Sequence, residues 1–449
     1  MKSINTQYIE LPEAILQAKL AGDFELEKQL ISYKLDNVAL PFILRERLKL
    51  ELHNIEDYSV CYPFTYQEAE VLLQQECPDK YKEGMLKLFT IRGDVAFKYI
   101  NKEVHYEARI VENALIRCPE LRNYSLSAES VLRTNNMMVM KEKGKKEADI
   151  TLKATLKVLD KSLLGKRAFV NLPLVKETLG ITDIKILSHS DNLISIDSPD
   201  TLMRTCQFEE VLKEDTTFSI TFSYHIEANY KAICPNYDFF VEKEYEKYLT
   251  EVAPHIVFTP YLKELLKEIV GEEKSLYKKA QLIYTWITSN VKYSFMPYYS
   301  LLDCISEYAA LNLKGDCGVY AILFITLCRM AGIPASWQSG WYVLPEEASS
   351  HDWAQVYLGC DIGWRPVDCS FGASSFKEGN TERQQYYFGN LDIYRMVAND
   401  SCLEPLTGKA GYRWDPVDNQ VGEVDVDGVG LKHTQFDTVK EVISFIKKN

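Results

Sequence analysis

A cysteine at the entrance to an apolar run is the residue in this sequence best suited to nucleophilic chemistry. Residues 315–324 read "GDCGVYAILF", and Gly315 and Asp316 are poor helix residues that suit a turn or a cap. We therefore predict Cys317 in the first turn of a buried helix. There, unpaired backbone N–H groups and the positive end of the helix dipole stabilise a thiolate and can bind an oxyanion. The alternative is a structural thiol in the core.

A thiol nucleophile needs a base, and the base needs an orienting partner. Both occur in "HDWAQVYLGCDIGWRPVDC", which covers residues 351–369. If 352–358 and 364–369 are antiparallel strands joined at "GCDIG", His351 and Asp368 lie opposite one another on the same sheet face, to within a residue or two. Each also has an ordinary interpretation, His351 as a loop histidine and Asp368 as a turn or capping residue.

The elements that would position these residues can be predicted from apolar spacing. We predict two amphipathic helices, in "PYLKELLKEIVG" and in "SLYKKAQLIYTWITSNV", from their apolar spacing. A third, buried helix is predicted in "VYAILFITLCRM", which is apolar on nearly every face and is followed by the stop signal of Ala331, Gly332 and Pro334. Polar and apolar residues alternate, as they do in β-strands, in "ASWQSGWYV", "HDWAQVYL" and "GWRPVDCS". Their four tryptophans either line a groove or pack in the core: Trp337, Trp341, Trp353 and Trp364.

The rest of the chain divides into further regions that differ in their pattern of polar and apolar residues. Thr65 followed by Glu68 predicts a capping box within a helical stretch. From about 147 to 235, alternating residues and frequent turn formers predict short strands of a β-sandwich, while 100–146 is compatible with either helix or strand. The expected fold class is α+β. The expected domains are a helical N-terminal extension at 1–95, an Ig-like β-sandwich at 96–238, a catalytic core at 239–385 and a C-terminal extension packed on the core at 386–449.

Three segments together resemble a known family. "LKGDCGVYAILFITLCRMAGIPASWQSGW", "HDWAQVYL" and "WRPVDCS" occur in the order and spacing of the transglutaminase-like superfamily core, over about 280–372. The resemblance implies a papain-like fold with a Cys-His-Asp triad. In this chain Cys317 would be the nucleophile, His351 the general base and acid, and Asp368 the orienting carboxylate. More loosely, the flanking segments resemble bacterial members in which a β-sandwich precedes the core.

The same resemblance raises the question of the oxyanion-hole side chain. Papain-like proteases commonly place a glutamine six residues before the cysteine, where this chain has Leu311. In transglutaminase-like proteins an upstream aromatic residue can supply the donor, which makes Tyr293 the candidate here, with Trp286 behind it. Trp353 is a third candidate for the substrate cleft. The resemblance also implies that the tail near Asp392 and Arg395 walls the cleft.

Composition excludes several classes of partner. The chain has 449 residues and a formal net charge of -13 with no Lys/Arg-rich block, so neither nucleic acid nor a membrane is expected as a partner. Its eleven cysteines are scattered, without the spacing of a zinc site, so no cofactor and no metal are predicted. The acidic clusters of calcium-dependent animal transglutaminases do not stand out. With no signal peptide in view, we expect a cytoplasmic protein or a mature form whose leader is missing. The oligomeric state is left open.

The chemistry that follows from such a triad is acyl transfer on a peptide or protein amide, through a thioester. Water as acceptor makes the protein a protease or amidase, and an amine makes it a transglutaminase. We favour hydrolysis, because water is always present whereas aminolysis requires a site that excludes it. Two alternatives stay open: a non-catalytic protein that binds peptides in the same cleft, and an assembly protein that works through its N-terminal helices.

Overall fold

The computed structural model describes residues 6–122, 127–178, 180–234, 237–409 and 411–448. Backbone contacts divide the chain into two compact units. We call residues 5–125 and 292–316 the helical unit, and residues 1–4, 126–291 and 317–449 the core unit. Within the described ranges, no helix combines the length and apolar character needed to cross a membrane.

The helices and strands follow one another along the chain in a fixed order. The first half contains Glu13–Leu20 (α1), Phe24–Asn37 (α2), Phe42–Cys61 (α3), Phe64–Thr65 (β1), Tyr66–Glu76 (α4), Met85–Ile91 (α5), Phe97–Ile100 (β2), Glu103–Tyr106 (β3), Ile110–Arg117 (α6), Ala128–Lys143 (α7), Lys145–Val158 (β4), Arg167–Pro173 (β5), Ile181–His189 (β6), Leu193–Ile196 (β7), Thr205–Val211 (β8) and Phe218–Asn229 (β9). The second half contains Pro260–Val270 (α8), Leu276–Asn290 (α9), Lys292–Tyr293 (β10), Ile305–Asn312 (α10), Lys314–Gly315 (β11), Cys317–Met330 (α11), Ala335–Val343 (β12), Ala348–Tyr357 (β13), Trp364–Val367 (β14), Cys369–Lys377 (α12), Thr381–Tyr386 (α13), Arg395–Asn399 (β15), Glu423–Val426 (β16), Val429–Gly430 (β17) and Phe436–Lys448 (β18).

The helical unit is built from capped helices and a small sheet. The predicted capping box is confirmed: the Thr65 side chain accepts from the Glu68 amide, and the Glu68 carboxylate accepts from the Thr65 amide. Asp23 caps α2 in the same manner, through the amide of Leu26. Strands β1, β3 and β2 form a three-stranded antiparallel sheet beside these helices. Local sequence chemistry therefore sets where these helices begin.

Two antiparallel sheets form the predicted β-sandwich in the core unit. One has the order β18-β4-β9-β6 and the other β17-β16-β5-β8-β7. Every second residue of β4 and β9 is buried, which is the period expected when one sheet face packs on a core. Phe208 of β8 lies against Phe218 of β9, with ring centroids 6.1 Å apart, and so joins the two sheets.

The division into two units moves one of the expected domain boundaries. Residues 97–117, expected in the sandwich, form β2, β3 and α6 of the helical unit. The tail 386–449, expected to pack on the core, supplies β15 to the core sheet, and it also supplies β16, β17 and β18 to the two sandwich sheets. β18 pairs with β4 across nearly 300 residues of chain. Such long-range pairing leaves no local mark in the sequence, so the additional role of the tail in the sandwich is not predicted. The remaining domain bounds stay a proposal.

The core sheet has the order β14-β13-β12-β15 and is antiparallel throughout. Helix α11 is buried along residues 318–329 and contacts β12 and β13. A bulge interrupts the pairing of β12 with β15 at Ser339 and Gly340. A side chain on Gly340 would collide with the Met396 carbonyl oxygen, so only glycine allows β15 to approach this closely. Gly340 is also the β12 partner of His351.

Candidate active site

Cys317 is the first residue of α11, as predicted. The residues that follow it in the helix are buried, whereas Cys317 itself is partly exposed. Its sulfur donates to Oδ2 of Asp352 over 3.3 Å. Asp352 directly follows His351 in β13. In this arrangement the helix terminus favours the thiolate, while the neighbouring carboxylate favours the protonated thiol.

His351 and Asp368 meet across β13 and β14. Nε2 of His351 and Oδ2 of Asp368 are 2.8 Å apart. The expected hairpin is present, but Ala354 pairs with Val367, so the register is two residues away from a direct His351–Asp368 pair. Asp368 lies just beyond the last residue of β14, and there its side chain still reaches the imidazole.

Asp368 is fully buried, and each of its carboxylate oxygens accepts two hydrogen bonds. Oδ1 caps α12, accepting from the Ser370 hydroxyl and the Phe371 amide, both at 2.9 Å. Oδ2 accepts from His351 and from Nη2 of Arg395, each at 2.8 Å. Burial alone would favour the protonated acid, but His351, Arg395 and the Phe371 amide hold the pKa of this carboxyl well below its usual range. The capping and catalytic interpretations of Asp368 are thus compatible.

His351 is buried between aromatic rings. Its ring centroid is 4.7 Å from that of Phe371 and 5.9 Å from that of Trp353. Burial lowers the pKa of His351 below its ordinary value, and the Asp368 carboxylate offsets only part of this effect. At neutral pH we therefore assign a neutral imidazole beside an ionised carboxylate. Because the carboxylate can only accept, the imidazole proton lies on Nε2 and leaves Nδ1 as the basic nitrogen.

Two polar residues contact this site besides the predicted ones, Gln420 and Asp352. Gln420 donates through Nε2 to the His351 carbonyl oxygen over 3.1 Å and to the Asp352 carboxylate. The backbone carbonyl oxygen of Gln420 accepts a hydrogen bond from the Trp341 indole over 2.7 Å. Nothing in the sequence near Gln420 signals this role. Asp352, by contrast, has a signal in the sequence, since it directly follows the candidate base His351.

Arg395 was expected near the cleft from the resemblance alone. The structure places its guanidinium on Asp368, with Nη1 also bound to Oδ1 of Asp392 over 3.2 Å. Arg395 is 2% exposed, and its guanidinium lies over the rings of Tyr342 and Phe371, at 4.8 and 4.7 Å from their centroids. It therefore contacts the carboxylate from within the protein, as a positioning residue.

The three other candidates for the cleft, Trp353, Trp286 and Tyr293, lie on three different elements. Trp353 is fully buried and donates to Oε1 of Gln338 over 3.0 Å, so it packs beside His351 as a core residue. Trp286 lies half-buried on α9. Tyr293 belongs to β10 of the helical unit, where its ring lies 5.5 Å from that of Phe295. An oxyanion role for Tyr293 or Trp286 stays a prediction. Within the described ranges, no group of three His, Cys, Asp or Glu side chains could hold a metal ion.

The fold and the site together define an α+β protein with a papain-like core. Residues 263–369 match the model of the Transglutaminase-like superfamily. The resemblance predicted from the sequence is therefore confirmed for this segment, which contains Cys317, His351 and Asp368.

Individual proteins provide more distant similarities. An uncharacterized protein of Haemophilus influenzae is 28% identical over 182 residues, which are 33% of this chain and 48% of that protein, so the match spans about half of the relative's length. A structure named "Putative Cysteine Protease" from Cytophaga hutchinsonii has a TM-score of 0.45 at 16% identity, covering 67% of this chain and 91% of the other. The periplasmic domain of TgpA from Pseudomonas aeruginosa has a TM-score of 0.29 at 12% identity, covering 53% and 92%. Neither structural similarity carries an argument about function.

Proposed function

We propose that this protein is a thiol-dependent enzyme that transfers acyl groups from peptide or protein amides. Its nucleophile would be Cys317, its general base and acid His351, and its orienting residue Asp368. The observation that carries the proposal is the buried 2.8 Å pair of His351 and Asp368, adjacent in sequence to the residue that contacts the Cys317 sulfur. A buried imidazole held by an ionised carboxylate is the arrangement that a cysteine nucleophile requires.

The reaction would proceed in two steps. Nδ1 of His351 takes the proton of the Cys317 thiol, and the sulfur attacks the amide carbonyl carbon. Backbone N–H groups at the start of α11 stabilise the oxyanion that forms. His351 returns the proton to the amine nitrogen as the carbon–nitrogen bond breaks, and a thioester remains on Cys317. In the second step His351 takes a proton from water, whose oxygen attacks the thioester and releases a carboxylic acid and the thiol.

Hydrolysis is the outcome we favour, since water reaches any open cleft. A transglutaminase reaction, in which an amine attacks the thioester instead, is the second candidate and would use the same residues. A non-catalytic peptide-binding role is a third, and the presence of all three triad residues speaks against it. We further propose that the protein acts in the cytoplasm, where its reactive thiol would be kept reduced.

The proposal is tested by the variant Cys317→Ala, assayed with a library of peptide amides for both amide hydrolysis and incorporation of a labelled amine. We expect a loss of turnover of at least about a thousandfold, because the nucleophile is absent. Cys360→Ala is the matched control, since Cys360 is exposed and lies outside the site. It should keep full activity.

The thermal midpoint distinguishes a catalytic from a structural thiol. A midpoint of Cys317→Ala within a few degrees of the unmodified protein supports the enzymatic role. Unchanged turnover in a folded Cys317→Ala variant would refute the proposed nucleophile. A large loss of folding, with activity retained by the remaining folded fraction, would identify Cys317 as a core thiol.

A further inference from the structure

The segment 418–422 of the C-terminal tail contacts both the sandwich and the core sheet, within the core unit. Strand β16 begins directly after it and pairs with β5 of the sandwich. Asn419 donates through Nδ2 to the carbonyl oxygen of Asn171 in β5 over 3.3 Å, and its Oδ1 accepts from the Gly422 amide over 2.9 Å. Its backbone carbonyl oxygen accepts from Asn399 of β15 over 3.0 Å. The segment is thus fixed at both sheets.

From this segment Gln420 contacts β12 and β13. Its backbone carbonyl oxygen accepts from the Trp341 indole over 2.7 Å. Its side-chain amide donates through Nε2 to the His351 carbonyl oxygen over 3.1 Å and to Oδ1 of Asp352. A glutamine amide carries two N–H groups, one for each of these acceptors. The other carboxylate oxygen of Asp352, Oδ2, accepts from the Cys317 sulfur over 3.3 Å. Asp352 is therefore held between Gln420 and the proposed nucleophile.

The amide of Gln420 is neutral, and this determines what it does to Asp352. A carboxylate that is only 6% exposed needs hydrogen-bond donors, and an N–H group supplies one without cancelling the negative charge. The charge therefore stays beside the Cys317 sulfur, where it disfavours a thiolate. Lys440 of β18 and Asp418 are two further charged groups near Asp352, and they have opposite signs when ionised. Gln420 thus fixes the position of the carboxylate charge rather than its size.

We propose that Gln420 is a positioning residue of the candidate active site, which holds the Asp352 carboxylate against the Cys317 sulfur and so controls how readily the thiol loses its proton. The inference rests on the proposed function, in which Nδ1 of His351 takes that proton. Because the same amide also binds the His351 carbonyl oxygen, one side chain locates both the base and the charge that opposes proton loss. Without the two N–H groups the carboxylate would turn towards solvent, and a thiolate at the start of α11 would form more easily.

The test is alkylation of the full-length chain by iodoacetamide, followed at Cys317 by peptide mass spectrometry between pH 5 and 9. Gln420→Met keeps the length of the side chain and removes both N–H groups. We expect the Cys317 profile to move to lower pH, with labelling at pH 6.5 at least about threefold faster, because the opposing charge has moved away from the sulfur. An unchanged profile, or a shift to higher pH, would overturn the proposal.

A double variant tests whether Gln420 acts through Asp352. In Asp352→Asn the carboxylate is already absent, so adding Gln420→Met should leave the Cys317 profile where Asp352→Asn alone places it. A merely structural role would shift the profile equally in both backgrounds, and that result would refute the positioning role. Gln355→Met is the matched control, because it makes the same chemical change three residues beyond Asp352 in β13. It should leave the Cys317 profile unchanged.

Folding and turnover are measured separately from alkylation. If Gln420→Met does not fold, Gln420→Asn gives the same comparison, because its shorter amide cannot reach both acceptors. Alkylation needs no substrate, so its result is independent of the assay with peptide amides. Unchanged turnover in Cys317→Ala would refute the proposed enzyme, whereas equal alkylation profiles with and without Gln420 would refute the positioning role alone.

Discussion

At the scale of single residues, the contact between Cys317 and Asp352 sets two effects against each other. The start of α11 stabilises a negative sulfur, but a carboxylate at 3.3 Å from that sulfur repels the same charge. Two further charged groups, Lys440 and Asp418, contribute to the electrostatics near Asp352. Burial lowers the pKa of Lys440 to about 8, and the charges of Asp418 and Asp352 oppose this shift. Burial, reinforced by Asp415, raises the pKa of Asp418 to about 7. The charge of Asp352 therefore opposes the stabilisation of the Cys317 thiolate by the start of α11.

The first prediction concerns the reactivity of this thiol. Asp352→Asn removes the neighbouring charge, so the pKa of Cys317 should fall. The rate of alkylation by iodoacetamide, followed residue by residue with peptide mass spectrometry across pH 5–9, measures this shift. The chain offers a matched control in Asp361→Asn. Asp361 raises the pKa of the exposed Cys360, so its removal should change the profile of Cys360 and leave that of Cys317 alone.

An unchanged Cys317 profile in Asp352→Asn would show that the carboxylate does not govern the thiol. The comparison also tests the nucleophile itself: once Asp352 is neutral, Cys317 should be alkylated well ahead of Cys360 at neutral pH, because Cys317, unlike Cys360, lies at a helix N-terminus. Labelling of Cys317 slower than that of Cys360 in the Asn variant would contradict an activated thiolate.

The positions of the three triad candidates could be predicted because each candidate carries a local signature. Cys317 precedes a buried helix, and His351 and Asp368 are separated by one short hairpin, so their meeting depends on a single turn. Gln420 depends instead on how the tail folds back over β12 and β13, and its contacts span 68 and 69 residues of chain. Contacts of that separation are set by tertiary packing, which no short window of sequence contains.

At the scale of elements, the first three helices enclose charged groups in the helical unit. Glu51 of α3 is fully buried and binds Lys19 of α1 at 2.9 Å and Arg47 at 2.6 Å. Glu27 of α2 is equally buried. Burial, together with the charge of Glu51, raises the pKa of Glu27 to about 8. These helices therefore pack around one ionised and one protonated glutamate at neutral pH.

The second prediction follows from the protonated Glu27. Unfolding returns its pKa from about 8 to the ordinary value near 4.5, so the folded state holds a proton that the unfolded state releases. The stabilisation is complete below pH 4.5 and is lost as the pH rises towards 8. Glu27→Gln, which has no such proton, should gain stability relative to the unmodified protein by about 1 kcal/mol per pH unit between pH 5 and 8.

Urea unfolding followed by circular dichroism at pH 5, 6.5, 8 and 9 measures this difference. Glu25→Gln makes the same chemical change at an exposed position of the same helix and should show no such pH dependence. A constant difference between Glu27→Gln and the unmodified protein across this range would mean that Glu27 is ionised in the folded protein.

Elements with local start and stop signals were the predictable ones. The capping box at Thr65 and the nearly all-apolar helix that ends before Pro334 can each be recognised from a few consecutive residues. Residues 436–448 form a strand in the structure, but its partner β4 begins at residue 145, and neither segment indicates the other. The sequence therefore predicted the kind of element more readily than its neighbours in a sheet.

At the scale of the whole molecule, the C-terminal strand is part of the sandwich. β18 pairs with β4 from Phe436 opposite Val158 to Lys448 opposite Glu147. Phe436 is buried, and Phe445 lies 5.5 Å from the ring of Tyr394. The strand thus covers one edge of β4 and also contacts the segment that leads into β15.

The third prediction is that removal of this strand destabilises the core unit. A chain ending at Gln435 leaves β4 as an unprotected edge, and we expect its thermal midpoint to fall by at least about 10 °C. Tryptophan fluorescence reports this unit alone, because all six tryptophans of the chain lie within it. A chain ending at Ile446, which keeps most of the pairing, should unfold within a few degrees of the full-length protein. Equal midpoints for all three chains would show that β18 contributes no stability.

The pairing of β18 with β4 also bears on the order of events during synthesis. β4 leaves the ribosome long before its partner, and the nucleophile, base and carboxylate candidates are all made in the interval between them. Contacts between such distant segments form late, because a long loop must close first. During translation β4 must therefore remain soluble with one edge uncovered. Its own Lys145, Lys146, Lys153 and Lys157 provide charges that discourage pairing with other nascent chains. The lysines of β4 are thus expected to matter most before the protein is finished.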